Sequence, residues 1–70
     1  PNPFSDKTSI YFNNNSQRTL KLFDMMGRTV RSFSSSDNKI DVYKENMRKG
    51  IYFIQIREGN VIQTKKLILN

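Results

Sequence analysis

Apolar and polar residues alternate along most of this chain with a period of two, which is typical of β-strands that bury one face. The spacing of an amphipathic helix does not recur. Six segments carry the alternation, and turns rich in Asn, Ser, Asp and Gly separate them. The predicted strands comprise residues 9–12, 19–23, 29–33, 39–42, 51–57 and 61–69.

Two further segments carry weaker patterns. Residues 1–4 are compatible with a seventh strand, and residues 43–49 predict a turn or a single helical turn, with Met47 as its apolar plug. Short strands with short connections predict an all-β fold, a small antiparallel β-sandwich of six to seven short strands. Seventy residues leave room for one core only, so we expect a single domain over residues 1–70.

The last predicted hairpin allows two registers. A three-residue loop through residues 58–60 pairs Ile56 with Ile62 and Ile54 with Thr64, whereas a two-residue loop places Gln and Lys positions opposite this strand. We predict the first register because it pairs apolar with apolar residues. The residues that it places on the core face are Tyr52, Ile54, Ile56, Ile62 and Ile68.

The opposite face of the same hairpin is also apolar, since it carries Ile51, Phe53, Leu67 and Leu69. The outer sheet face of a small sandwich is normally polar and solvated. Two explanations stay open. Either a parent domain, a second copy or a partner covers this face, or a loop or the N-terminal segment folds over it.

The missing residue types exclude several kinds of chemistry. The chain has no Cys, His, Trp or Ala. Without Cys and His it cannot form disulfides, thiolate or imidazole zinc sites, or Ser-His-Asp and Cys-His catalytic arrangements. No apolar run approaches the roughly 18 residues that a membrane-spanning helix needs. We expect no cofactor and no transmembrane segment.

The carboxylates offer no better route to catalysis. Asp24, Asp41 and Glu45 are the ones that suggest an acid–base pair, yet their turn or outward positions are explained by solvation and turn capping. A glycosylation sequon, Asn-Asn-Ser at 14–16, arises easily by chance in an Asn-rich turn. The sequence therefore predicts a protein that is not an enzyme.

The charge is strongly positive, with twelve Lys and Arg against six Asp and Glu and a net charge of +6. The basic residues are scattered, and no RNA-binding aromatic motif accompanies them, so nucleic-acid binding is disfavoured. Most are expected at solvated outward strand positions. The net charge also suits a mild attraction to an anionic membrane surface.

An ordered set of short motifs runs through the whole chain. It opens with Pro-Asn-Pro-Phe, continues with Ile-Tyr-Phe at 10–12, Leu-Lys-Leu-Phe-Asp at 20–24 and Gly-Ile-Tyr-Phe-Ile-Gln-Ile at 50–56, and ends with Thr-Lys-Lys-Leu-Ile-Leu-Asn at 64–70. The set resembles the type A C-terminal sorting domain of type IX secretion system cargo proteins. One departure is Met-Arg-Lys at 47–49, where Leu and a small polar residue are usual.

This resemblance implies an immunoglobulin-like sandwich and a role in secretion. Domains of this family lie at the C-terminus of secreted enzymes and adhesins of Gram-negative bacteria, where the outer-membrane translocon recognises them as a secretion signal. A surface sortase then typically cleaves the domain off, and the cargo is often attached to anionic lipopolysaccharide. The implied partners are the translocon with its outer-membrane shuttle barrel, the sortase and the upstream cargo domain, and the implied location is secreted or cell-surface.

The resemblance also implies a recognition site on the last strand and the Gly-x-Tyr motif beside it. The implied translocon-recognition residues are Gly50, Tyr52, Lys65, Lys66, Leu67, Ile68 and Leu69. Apolar side chains on both faces of this strand, beside two lysines, suit a docking strand. The alternative is an ordinary buried strand with two snorkelling lysines.

A different function also stays open, namely a structural or carbohydrate-binding immunoglobulin-like accessory domain of an extracellular enzyme. Sugar binding favours aromatic platforms, whereas Tyr11, Tyr43 and Tyr52 are dispersed. The chain opens at Pro1 rather than Met and shows no signal peptide, so we expect it to be excised from a larger secreted protein.

Overall fold

The computed structural model describes residues 3–70, which form six β-strands and no helix. All six predicted strands are confirmed, and no strand end differs from its predicted position by more than two residues. The strands are β1 (Lys7–Tyr11), β2 (Arg18–Phe23), β3 (Thr29–Ser35), β4 (Lys39–Tyr43), β5 (Gly50–Glu58) and β6 (Val61–Leu69).

These strands form two antiparallel sheets, as the sandwich prediction requires. The larger sheet has the order β3-β2-β5-β6, and the smaller sheet pairs β1 with β4. Alternate residues of each strand point inward, so that both sheets contribute to one core. The core residues are Phe4, Ile10, Leu20, Leu22, Ile40, Val42, Met47, Tyr52, Ile54, Ile56, Leu67 and Leu69.

The segment between β4 and β5 forms a turn rather than a helical turn. The Met47 N–H donates to the Lys44 carbonyl at 2.9 Å, and Glu45 adopts a positive φ of 48°. The Met47 side chain is buried. Its predicted role as an apolar plug is therefore confirmed.

The predicted register of the last hairpin is wrong. The structure pairs Glu58 with Val61 across a two-residue turn, and Ile56 therefore lies opposite Gln63 rather than Ile62. Gly59 occupies the first central position of this turn with a φ of +61°. A type II′ hairpin turn requires such a conformation there, and glycine adopts it without strain. The chemistry of the turn thus prevails over the pairing of apolar residues.

The corrected register reverses the predicted faces of β6. Leu67 and Leu69 are buried in the core, with 4% and 2% of their surface exposed. Ile68 points outward and is half-buried, and Ile62 is half exposed. On β5 the prediction is confirmed, because Tyr52, Ile54 and Ile56 are all buried.

Phe4, in the described part of the N-terminal segment, joins the larger sheet. Phe4 forms an isolated parallel bridge with Leu69, and its side chain is buried in the core. It therefore does not cover the outer face of the hairpin. Within the described part of the predicted strand over residues 1–4, Phe4 forms this bridge. Pro1 and Asn2 lie outside the described residues.

Two carboxylates are held in their charged form by local hydrogen bonds. The Ser9 hydroxyl donates to Asp41 across the β1–β4 pair, and together with Lys7 and Lys39 it lowers the pKa of Asp41 despite partial desolvation. Desolvation also opposes ionisation of Asp24, but hydrogen bonds from Arg28 and Met26 outweigh it and lower the pKa of Asp24.

A folded-state pKa below the unfolded value stabilises the fold at higher pH, and that stabilisation is lost as the pH falls through the folded pKa. We therefore expect the free energy of unfolding to fall below about pH 4. Asp41→Asn should flatten this acid dependence, whereas Asp37→Asn, which changes a carboxylate outside the four ion pairs found in residues 3–70, should preserve it. Urea unfolding between pH 2 and 7 would measure both, and an unchanged profile for Asp41→Asn would contradict the assignment.

Candidate recognition site on strand β6

Strand β6 lies at the edge of the larger sheet and pairs with β5 on one side only. On its other side the Phe4 N–H donates to the Ile68 carbonyl at 2.9 Å, and the Asn70 N–H donates to the Phe4 carbonyl at 2.8 Å. The peptide groups of even-numbered residues thus point away from β5. By the alternation of an antiparallel strand, those of Ile62 and Thr64 also face outward.

Burial divides β6 into two parts. Residues 61–66 are all exposed, whereas Leu67 and Leu69 are buried and Ile68 is half-buried. Three of the predicted recognition residues, Lys65, Lys66 and Ile68, therefore present surface to a partner. Leu67 and Leu69 support the fold instead.

The Gly-x-Tyr motif packs beside the buried end of β6, as the resemblance implied. Gly50 pairs with Leu69, and Tyr52 pairs with Leu67. The Tyr52 ring is buried, and its hydroxyl donates to the Arg48 carbonyl at 2.6 Å. Gly50 has a φ of +151° and open space where a Cβ would lie, so its backbone conformation rather than crowding favours glycine.

Removing only the Tyr52 hydroxyl tests that contact. Tyr52→Phe should lower the free energy of unfolding by about 1 kcal/mol, the usual net value of one hydrogen bond, because the ring stays in the core. Chemical denaturation would measure the change. An effect as large as that of losing the whole ring would mean that the hydroxyl organises the turn before β5.

The two lysines of the site point to opposite faces. Lys65 lies opposite Ile54 on the inner face, and Lys66 lies opposite Phe53 on the outer face. Both contribute to a groove of about 360 Å³ between β6 and β1. The groove is lined by Thr8, Ser9, Ile10, Tyr11, Lys65, Lys66 and Leu67.

This groove runs between an edge of each sheet. Among residues 3–70, β1 pairs only with β4, and β6 pairs only with β5 and, through one bridge, with Phe4. Open edges with outward-facing peptide groups can accept an extended polypeptide as an added strand. The arrangement is therefore suited to binding an extended peptide segment.

The candidate catalytic carboxylates do not form a site. Asp24 pairs with Arg28 at 2.9 Å, and Glu45 pairs with Arg31 at 3.0 Å. Asp41 lies on the other sheet, 3.6 Å from Lys7. Within residues 3–70 no three His, Cys, Asp or Glu side chains are placed to hold a metal ion.

Sequence reasoning missed Arg18, because it singled out none of the basic residues as buried. Only 2% of it is exposed, and its guanidinium lies 3.8 Å from the centre of the Phe12 ring. Its Nε donates to Glu58 at 2.9 Å, and its other nitrogens bind the Asn14–Ser16 turn. The sequence feature that could have revealed its burial is its position in the strand. Arg18 is two residues before Leu20, so it points to the same inward side as Leu20 and Leu22.

A comparison with known protein families agrees with the motifs of the chain. The model of the secretion system C-terminal sorting domain matches residues 1–70. No curated protein gives a significant match. Among residues 3–70 the structure holds no helix capable of spanning a bilayer. The match covers the entire chain, and the protein therefore belongs to the family of type IX secretion C-terminal sorting domains.

Proposed function

We propose that this domain directs its cargo through the type IX outer-membrane translocon and that the translocon reads it along the open edge of β6. The family match indicates a type IX sorting signal and implies export of the cargo to the cell surface or beyond. The observation that carries the proposed site is the exposure of residues 61–66 on an edge strand. Recognition then consists of backbone pairing with an extended segment of the translocon or its shuttle barrel.

The side chains beside this edge add selectivity. Lys65 faces the groove, Lys66 lies on the outer face, and Ile68 adds a half-buried apolar surface. A partner strand with acidic and apolar residues would complement them. Gly50, Tyr52, Leu67 and Leu69 contribute by holding the end of β6 against β5 and Phe4.

The proposal extends to what surrounds the domain. Residues 1–70 act as one non-catalytic unit at the end of a secreted cargo protein, and a surface sortase cleaves upstream of this unit after export. Members of the family are generally non-catalytic, which supports this view. The alternative of a carbohydrate-binding accessory domain gains no support from the exposed tyrosines. Tyr11 and Tyr43 lie at opposite ends of the β1–β4 pair and share no platform.

A single proline tests the edge directly. Thr64→Pro removes an N–H that points away from β5, so the hairpin should still form, since proline is tolerated on edge strands at such positions. Thr64→Ala removes the same side chain and keeps the N–H. In a strain with a type IX system, a reporter fused to the Pro variant should reach the surface at least tenfold less than one fused to the Ala variant.

Thermal melts of the two variants provide the control for folding. If the Pro variant remains folded and exports its reporter as well as the Ala variant does, recognition does not use backbone pairing at this edge. If a folded wild-type domain leaves the reporter in the periplasm, the sorting function itself is wrong.

A further inference from the structure

The outer face of the larger sheet contains no carboxylate. The register places on this face Ser32 and Ser34 of β3, Thr19, Lys21 and Phe23 of β2, Ile51, Phe53, Gln55 and Arg57 of β5, and Ile62, Thr64, Lys66 and Ile68 of β6. The acidic residues of the described chain lie elsewhere. Four of them pair with Lys7, Arg18, Arg28 and Arg31. Part of the excess positive charge of the domain therefore lies on this face.

The face has a polar half and an apolar half. In the polar half Thr19 pairs with Arg57 and Lys21 pairs with Gln55, so that four hydrogen-bond donors surround one shallow depression. The depression has a volume of about 160 Å³. Lys21 and Arg57 are diagonal neighbours on adjacent strands and form no ion pair within residues 3–70. An anion between them would relieve their mutual repulsion and bind all four donors.

The apolar half lies directly beside it. Phe23 pairs with Phe53, and Ile51 pairs with Ile68. All four side chains are half-buried although they lie on the outer face. Phe4, the described N-terminal residue that bridges to β6, packs into the core rather than over these side chains.

We propose that this outer face docks on a membrane surface that carries anionic phosphate head groups. The donors around Lys21 and Arg57 bind a phosphate, while the four apolar side chains enter the boundary between head groups and acyl chains. Charge complementarity selects this occupant, since a face with cations, hydroxyls and an amide but no carboxylate matches a polyanionic surface. This face shares Lys66 and Ile68 with the recognition site proposed on β6, whereas Lys21 and Arg57 lie on β2 and β5, away from that edge. Because binding to vesicles is measured without the translocon, the outcome does not depend on how the translocon reads the domain.

Partitioning of the 70-residue chain onto lipid vesicles tests whether the positive charge of the outer face contributes to membrane binding. Vesicles of phosphatidylcholine with about 30% phosphatidylglycerol should bind the chain, and vesicles of phosphatidylcholine alone should bind it weakly. The double change Lys21→Gln and Arg57→Gln should lower partitioning roughly 30-fold, since each basic residue adds about as much as a fivefold change near such a surface. The matched control, Lys39→Gln with Lys44→Gln, removes the same charge from β4 and the turn that follows it, and it should lower partitioning far less.

The orientation of the domain has its own probe, because the chain contains no tryptophan. The emission of Phe53→Trp should shift to the blue on anionic vesicles, and brominated lipids should quench it. Tyr11→Trp, on the outside of the smaller sheet, should show neither effect. Equal losses for the two charge variants, or equal shifts for the two tryptophans, would overturn the proposal. It would also be overturned if polyglutamate or inorganic phosphate bound in the absence of vesicle binding.

Discussion

Replacing Leu67 and Leu69 together by serine is expected to unfold the domain. Both side chains are almost completely buried, and they contact the core at the point where β6 meets β5 and Phe4. Truncating one buried leucine costs about 2–5 kcal/mol, and a domain of this size rarely has more than about 3–5 kcal/mol in total. Circular dichroism with thermal melting would show the loss of the folded state.

Ile68→Ser is the matched control for this change. It alters the residue between the two leucines, on the same strand, but its side chain is half-buried on the outer face. We expect it to keep the domain folded, with a moderately lower melting temperature. If instead Ile68→Ser unfolds the chain and the double leucine variant melts like the wild type, the register of β6 is shifted by one residue.

The same comparison changes how secretion experiments should be interpreted. Loss of export in a Leu67 or Leu69 variant reports a loss of folding, because neither side chain is available to a partner in the folded domain. Only changes at exposed positions, such as Lys65 or Thr64, can separate recognition from stability. The buried residues that stabilise the fold and the exposed residues that we propose for recognition thus occupy different parts of one strand.

The sequence predicted the faces of β5 and failed for β6, for a physical reason. Along β5 the polar residue Gln55 breaks the outward apolar series, so the parity of Ile54 is the one that is apolar without interruption from Tyr52 to Ile56. Along β6 both parities contain apolar residues, because Val61, Ile62, Leu67, Ile68 and Leu69 include odd and even positions. The pattern alone cannot choose between them. The Gly59-Asn60 dipeptide makes that choice by favouring a two-residue turn.

An apolar surface on the outer face was predicted correctly, but two of the four residues assigned to it were wrong. Ile51 and Phe53 lie where they were expected, but Ile68 and Phe23 accompany them instead of Leu67 and Leu69. The open groove beside β6 could not be predicted, since it depends on the separation of two sheet edges that belong to distant parts of the chain. Periodicity determines which way a side chain points and carries no information about how far apart two sheets lie.

Arg18 shows how a charged residue can belong to the interior of so small a domain. Its inward parity continues the series of Leu20 and Leu22, and Glu58 continues that of Ile54 and Ile56 on the paired strand. The sandwich therefore ends in an ion pair rather than in another apolar layer. The carbonyls of the turn at 14–16 and the Phe12 ring complete the surroundings of the guanidinium.

Arg18→Ala is accordingly expected to lower the free energy of unfolding by about 2–4 kcal/mol, through an unfilled space and turn carbonyls left without their donor. Glu58→Gln should cost no more than about 1 kcal/mol, because the Glu58 side chain is 41% exposed and its charge is screened by solvent. Arg18→Lys should fall between them, since a lysine keeps the charge but cannot donate in several directions from one plane. Urea unfolding at low and high ionic strength would rank the three variants. If Glu58→Gln proved as costly as Arg18→Ala, and the cost disappeared in high salt, the ion pair rather than the hydrogen bonds to the turn would hold this end of the sandwich together.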